Sequence, residues 1–175
     1  MVDPLAEEQA IIEERSSVPP SLSADVLQQP IERLCIRPVR TLDVSAKVRD
    51  ALTLMQTERF GSVVITTNKA LIGIVTERDI LLKVAGKSAG VLDQPITEIM
   101  TRQPEWLHKD DAIAYLMNKM HVGGFRHVPI VDDDNVPVYV ISLRDVLAYL
   151  LDHFPREVMN VPSDPYRGAP QHDSG

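Results

Sequence analysis

The feature that most constrains how this chain can fold is an internal duplication. Residues 26–31 return 65 positions later as residues 91–96, with one residue changed. The same offset joins pairs of like residues further along: Leu42 and Leu107, Val48 and Ile113, Met55 and Met120, Phe60 and Phe125, Val63 and Val128, and Ile65 and Ile130. Self-similarity at a fixed spacing is the sequence signature of a repeated supersecondary unit.

Each copy predicts the same succession of elements, β-α-β-β-α. An extended piece leads to an amphipathic helix, and a β-branched strand, a polar turn, a second strand and a closing helix follow. The extended pieces are predicted at 35–42 and 101–107, the helix starts at Asp43 and at 109–110, the first strands at 62–66 and 127–131, and the turns at 67–69 and 132–135. We expect an α+β fold of two tandem units, with Met55 and Met120 in the core.

Length, composition and charge exclude several classes of protein. The 175 residues, of which 44% are apolar, suffice for one domain or two small ones. The net charge of −7 disfavours nucleic acid and anionic membranes as partners. The first eight residues are acidic, unlike a signal peptide, and no apolar run reaches membrane-spanning length, so we expect a cytoplasmic protein. The single Cys35 excludes an internal disulfide and a Cys-rich zinc site.

A hydroxyl, two spacers and an aspartate stand at the strand-to-helix turn of each copy. The residues are Thr76 and Asp79 in the first copy and Ser142 and Asp145 in the second. Helix capping alone explains such a pattern, since these side chains satisfy free amides at a helix start and complement the helix dipole. The functional alternative is ligand binding, which the wider context favours.

The order and the repetition of these motifs resemble a pair of CBS domains. The resemblance rests on residues 73–79 and 140–145, on 125–131, and on the segments that begin at Ile31 and Ile96. It covers residues 26 to 153. It implies two β-α-β-β-α domains packed with pseudo-twofold symmetry, two clefts, and a sensor module that binds adenosine-containing ligands such as AMP, ADP or ATP.

The resemblance also implies roles for single residues. In that family the aspartate of the turn holds the ribose hydroxyls, the Thr or Ser hydroxyl assists, and a basic pair reaches the phosphate. An aspartate suits a ribose because both of its oxygens can accept hydrogen bonds from a vicinal diol. The ligand-binding candidates are Gly73, Thr76, Asp79, Arg126, His127, Tyr139, Ser142 and Asp145. No catalytic or metal-binding residue is predicted, and no cofactor besides the adenine nucleotide as ligand.

The two predicted clefts are unequal. The first copy has Gly73 where the second has Tyr139, and it has residues 61–62, Gly-Ser, where the second has the basic pair 126–127. If each cleft combines one copy's aspartate with the other copy's phosphate groups, one cleft gains both the basic pair and a glycine that lets the backbone approach the base. We therefore expect the main ligand site at Asp79, and a second cleft filled by the ring of Tyr139.

The remaining predictions concern boundaries and assembly. Residues 1–21 are predicted to be an acidic leader, 22–88 and 89–154 the two CBS domains, and 155–175 a Pro/Gly-rich tail. The closing helices, which include Ile80 and Val146, are apolar on more faces than covering one sheet requires. We expect a homodimer through these helices. The alternative is that they bury each other within one chain.

Two other classes of function stay open. One is a structural interaction module whose clefts are degenerate and hold no nucleotide. The other is an enzyme, against which the sequence offers no Gly-rich phosphate loop, metal-ligand spacing or nucleophile motif. Residues 132–135 lack the spaced carboxylates of an EF-hand loop, so a polar turn is predicted there. The regulated partner of a sensor module is left open by the sequence.

Overall fold

The computed structural model of the chain describes residues 24–34 and 38–153. These residues form two sheets and five α-helices. The first helix is α1 (Ala24–Leu27). The predicted acidic leader, the single cysteine and the predicted C-terminal tail lie outside the described residues. Of the helices described, none has the length and apolarity needed to cross a membrane.

The first sheet has four strands in the order β1-β2-β3-β4. They are β1 (Thr41–Asp43), β2 (Ser62–Thr67), β3 (Ala70–Thr76) and β4 (Thr101–Arg102). The strand β1 is parallel to β2, and the other neighbours are antiparallel. Helices α2 (Val48–Glu58) and α3 (Glu77–Lys83) belong to the same half. The β-branched run of β2 is buried along residues 62–65, which matches its central place in the sheet.

The second sheet has three strands, β5 (Leu107–His108), β6 (His127–Val131) and β7 (Pro137–Ser142). Here too the first pair is parallel and the second antiparallel. Its helices are α4 (Ile113–Gly123) and α5 (Leu143–His153). The predicted β-α-β-β-α order and the α+β fold are confirmed, and β6 has the predicted bounds.

The amphipathic helices begin later than predicted. Asp43, expected at a helix start, ends β1 instead, and its Oδ1 accepts hydrogen bonds from the hydroxyl and the backbone N–H of Ser45. These bonds lower the pKa of the Asp43 carboxyl. Helix α2 follows Lys47, whose N–H donates to Asp50 Oδ2 at 2.8 Å. Met55 and Met120 are buried in the two cores, as predicted.

Each copy places its opening segment against the core of the other copy. Ile96, Ile99 and Met100 open the second copy, yet they are buried in the core of the first sheet. Ile31 and Leu34 open the first copy, and they are buried in the core of the second sheet. The unit that repeats in the sequence is therefore not the unit that packs around one core.

Backbone pairing follows the same exchange. Residues 101–107, predicted as one extended piece, are divided between the sheets, because 101–102 pair with β3 and 107–108 pair with β6. On the opposite side, Val39 N–H donates to the carbonyl of Val138 at 3.0 Å. The two halves are thus interlocked by two crossing segments.

Ile96→Ala tests this interlocked packing, because it removes a fully buried side chain from the core of the other copy. We expect the free energy of unfolding to fall by about 2–5 kcal/mol. We also expect one cooperative transition, since neither half has a complete core alone. Urea denaturation followed by circular dichroism measures both quantities. Val122→Ala, at a side chain 76% exposed, is the control and should change little. Two separated transitions would contradict the interlock.

Candidate functional site

A cavity of about 700 Å³ lies between the two copies, and both copies line it. The lining residues are Leu34, 38–40, 59–62 and Glu77 of the first copy, and 126–127, 140–145, 147 and 148 of the second. A cavity of this size falls in the range of small-molecule sites.

Asp145 lines this cavity at the start of α5. Its Oδ2 accepts hydrogen bonds from the backbone N–H of Ser142 at 2.8 Å and from the Ser142 hydroxyl at 2.6 Å. Among the described residues, Asp145 Oδ1 accepts no hydrogen bond. One carboxylate oxygen therefore caps the helix, while the other keeps its capacity to accept hydrogen bonds from a ligand.

Arg126 and His127 line the same cavity, whereas Asp79 is not among its lining residues. This differs from the expectation that the basic pair would join Asp79. The reason is the antiparallel register of β6 and β7, which sets His127 opposite Ser142. A basic pair at the start of β6 therefore meets the turn that follows β7 in its own copy. The sequence signal for this register was the short turn predicted at 132–135, because a short turn between antiparallel strands sets the start of β6 beside the end of β7.

His127 is half-buried between the two copies. A Cβ atom added at Gly61 would lie only 3.0 Å from His127 Nε2, so a larger residue at this point would have to shift the imidazole ring. Burial lowers the pKa of His127, although the charges of Glu77 and Asp145 oppose that shift. The imidazole is consequently neutral at pH 7, and one of its nitrogens can donate a hydrogen bond.

Four arginines line the cavity. Arg40 forms an ion pair with Glu58 and lies over the ring of Phe60, 5.1 Å from the ring centroid. Within the described part of the chain, the guanidinium groups of the other three form no ion pair or hydrogen bond; they belong to Arg59, Arg126 and Arg144. Of these arginines only Arg126 was predicted from the sequence, because no local pattern distinguishes the others from surface arginines.

Asp79 has a different environment from its counterpart Asp145. The residue is 8% exposed. Its Oδ2 accepts hydrogen bonds from the Thr76 hydroxyl at 2.7 Å and the Thr76 N–H at 2.9 Å, and its Oδ1 accepts one from Lys83 Nζ at 2.7 Å. Burial raises the pKa of the Asp79 carboxyl, but the hydrogen bonds from Lys83 and Thr76 outweigh it, so the pKa lies below its usual range.

The space expected at Gly73 is filled by Met100. A Cβ atom added at Gly73 would lie 2.6 Å from Met100 Sδ and 3.2 Å from the carbonyl oxygen of Thr101. The glycine therefore permits the close approach of β4 and of the methionine side chain, rather than leaving an open surface.

Tyr139 does not fill the cavity, in contrast to the expectation. Its ring packs against the core of the second sheet, whereas its neighbour Val140 lines the cavity.

Comparison with known proteins identifies the family. The family model for the CBS domain matches residues 31–86 and 96–152. The chain belongs to the CBS domain family. Its two CBS domains begin at the segments that exchange cores, Ile31 and Ile96.

Solved structures and curated sequences agree with this result. A CBS domain protein from Pyrobaculum aerophilum, complexed with AMP, is 30% identical, with a TM-score of 0.64 over 72% of this chain and 98% of its own. A CBS-domain containing protein from Agrobacterium tumefaciens is 28% identical, with a TM-score of 0.61 over 69% of this chain and 98% of its own. The CBS domain-containing protein CBSCBSPB5 of Arabidopsis thaliana is 30% identical over 130 residues, which are 74% of this chain and 23% of that protein. The CBS pair thus spans less than a quarter of this curated relative.

The structure divides the predicted ligand residues of the CBS pair into two groups. Those that line the cavity are Arg126, His127, Ser142 and Asp145. Those that do not line it are Gly73, Thr76, Asp79 and Tyr139.

Asp79→Asn tests the structural role of the buried carboxylate. We expect the free energy of unfolding at pH 7 to fall by about 1.5–3 kcal/mol, since hydrogen bonds to a charged group are lost. Because the folded pKa is lowered, this stabilisation is present above the unfolded pKa of about 3.9 and is lost as the pH falls further. Urea unfolding at pH 7 and pH 3 should therefore show a smaller loss at the lower pH. The control is Asp145→Asn, because no lysine pairs with Asp145 among the described residues. An equal loss of unfolding free energy in both variants at pH 7 would contradict a structural role for the ion pair of Asp79.

Proposed function

We propose that this CBS pair is a regulatory module that binds AMP, ADP or ATP in the cavity lined by Asp145. One observation carries the proposal: a carboxylate oxygen without a described partner shares the cavity with three guanidinium groups that are also unpaired among the described residues. A carboxylate suits a ribose diol. A guanidinium group suits a phosphate, because its planar donors bind two oxygens at once.

The charges of the cavity favour a phosphate-bearing ligand over an uncharged or cationic adenosine derivative. Arg59, Arg126 and Arg144 bring positive charge from both copies, although the chain as a whole is acidic. Such a local cluster concentrates anions against the net charge of the protein. The AMP complex of the Pyrobaculum aerophilum relative supports the same choice.

A binding role also fits the chemistry of the lining groups better than catalysis does. The cavity offers hydrogen-bond donors for an anion and two carboxylates, Glu77 and Asp145, and its histidine is half-buried beside them. Among the described residues, no three His, Cys, Asp or Glu side chains form a group that could hold a metal ion.

Asp145→Asn should weaken the binding of AMP, ADP and ATP about tenfold or more. A hydrogen bond to a charged group contributes about 1.5–3 kcal/mol, and each 1.4 kcal/mol is about a factor of ten. Isothermal titration calorimetry measures the affinity, and Asp79→Asn is the matched control, whose affinity should be nearly unchanged. The reverse pattern would place the ligand at Asp79. Failure of the unmodified chain to bind any of the three nucleotides would favour the degenerate interaction module.

We also propose a homodimer through the closing helices α3 and α5. These helices leave large apolar side chains in contact with water, namely Leu81 (68% exposed), Leu82 (66%), Leu147 (52%) and Leu151 (46%). Neither helix uses these side chains to cover its own sheet. A twofold interface would bury the same apolar surface on both chains.

Light scattering tests the dimer. We expect a mass near 39 kDa, twice the 19.5 kDa of one chain. Leu82→Asp should convert the dimer to a monomer, because twofold symmetry places the new charge on both sides of the interface. Val122→Asp introduces the same charge at an exposed valine of α4 and should leave the mass unchanged. A monomer for the unmodified chain, or a dimer that tolerates Leu82→Asp, would contradict an interface at this position.

A further inference from the structure

In the first copy the aspartate of the turn is paired with Lys83, and the second copy has no lysine at the corresponding position. Lys83 Nζ donates to Asp79 Oδ1 at 2.7 Å and to the carbonyl oxygen of Ile99 at 2.6 Å. At the corresponding place in the second copy, four residues after Asp145, the chain has Tyr149. We propose that Lys83 takes the place of a ligand at Asp79, so that the chain binds one adenine nucleotide and Lys83 decides which turn receives it. This inference rests on the proposed function.

Most of the acceptor capacity of Asp79 is already used. Two donors from Thr76 reach Oδ2, and Oδ1 is reached by Lys83 and, at 3.5 Å, by the hydroxyl of Thr101. A carboxylate offers about four acceptor positions. A ribose diol would therefore have to displace the ammonium group of Lys83, and Asp79 would lose its counter-ion in a buried setting.

Lys83 also holds the segment that covers the turn. Its second acceptor, the carbonyl of Ile99, directly precedes Met100, whose sulfur occupies the space beside Gly73. Ile74 then pairs with Thr101 in the sheet. One ammonium group thus bridges the carboxylate that would bind a ribose and the segment that fills the adjoining space.

The second copy shows that the turn itself does not need this cation. Ser142 N–H and hydroxyl donate to Asp145 Oδ2 with the geometry that Thr76 has toward Asp79. Helix α5 nevertheless begins there without a lysine, and its aspartate lines the cavity. Capping is common to both turns, and the lysine is what distinguishes them. Its role is therefore to determine which of the two similar turns binds the ligand.

Counting bound ligands tests the inference directly. Isothermal titration of ATP should give one ligand per chain for the unmodified protein and two for Lys83→Met, which frees the Asp79 carboxylate. The double variant Lys83→Met/Asp145→Ala should again bind one, now at Asp79, whereas Asp145→Ala alone should lose at least tenfold in affinity. Lys87→Met, at an exposed lysine beyond the end of α3, is the control and should keep a single site. If Lys83→Met does not fold, Lys83→Gln removes the charge while keeping a donor.

Two outcomes overturn the inference. One is a Lys83 variant that folds, binds ATP and keeps a single site. The other is unmodified protein with two equal sites. Failure of the proposed function is distinguishable, because the unmodified protein would then bind no ATP at all. In that case the pKa of Asp79, followed by NMR, decides the role of the lysine. It should rise in Lys83→Met and stay unchanged in Lys87→Met, and an unmoved pKa in Lys83→Met would refute Lys83 as the internal cation.

Discussion

The exchange of opening segments between the two copies is the constraint on which the rest of the structure depends. Ile96, Ile99 and Met100 are buried in the first core, and the apolar area that they remove from water fixes the course of the chain beside β3. That course brings the Ile99 carbonyl to Lys83 and the Met100 side chain to Gly73. The environment of the first turn is thus a consequence of core packing contributed by the second copy.

Two turns with the same sequence pattern consequently have different environments. Both use a hydroxyl and a carboxylate to start a helix, and the hydrogen bonds within each turn agree closely. The surroundings differ, since a lysine pairs with Asp79, while Asp145 lines a cavity with three arginines that form no ion pair among the described residues. Buried hydrogen bonds to an ionised group stabilise a fold only if the charge is compensated. In the first copy the protein supplies that compensation, and in the second copy we propose that a ligand supplies part of the hydrogen bonding.

Periodicity and repetition were sufficient to predict the element order and the buried methionines, because these follow from local spacing. The family was predicted from the resemblance of the repeated motifs to CBS domains. The bounds of β6 were predicted correctly from the β-branched run His127–Val131. The exchange at Ile31 and Ile96 was not predicted, since a short apolar segment could be buried equally well in either core. Both helix starts were predicted too early. In the first copy this is because the Asp43 carboxylate accepts a hydrogen bond from Ser45 and does not cap a helix.

Of the eight candidate ligand residues, only four line the cavity. These four are Arg126, His127, Ser142 and Asp145. The basic pair was expected at Asp79, because the resemblance implied a basic pair from the opposite copy, whereas the register of β6 and β7 places it beside the turn of its own copy. Contacts between distant segments, such as Met100 with Gly73, cannot be predicted from the sequence of either segment alone. Lys83 stands four residues after Asp79, so its ion pair could have been inferred from helical spacing.

A crystal structure of the chain with bound ATP tests the central claim most directly. We expect ribose hydroxyls within hydrogen-bond distance of Asp145 Oδ1, phosphate oxygens bound by Arg59, Arg126 or Arg144, and Lys83 still paired with Asp79. A ribose bound to Asp79, with Lys83 displaced and Met100 moved away from Gly73, would contradict it.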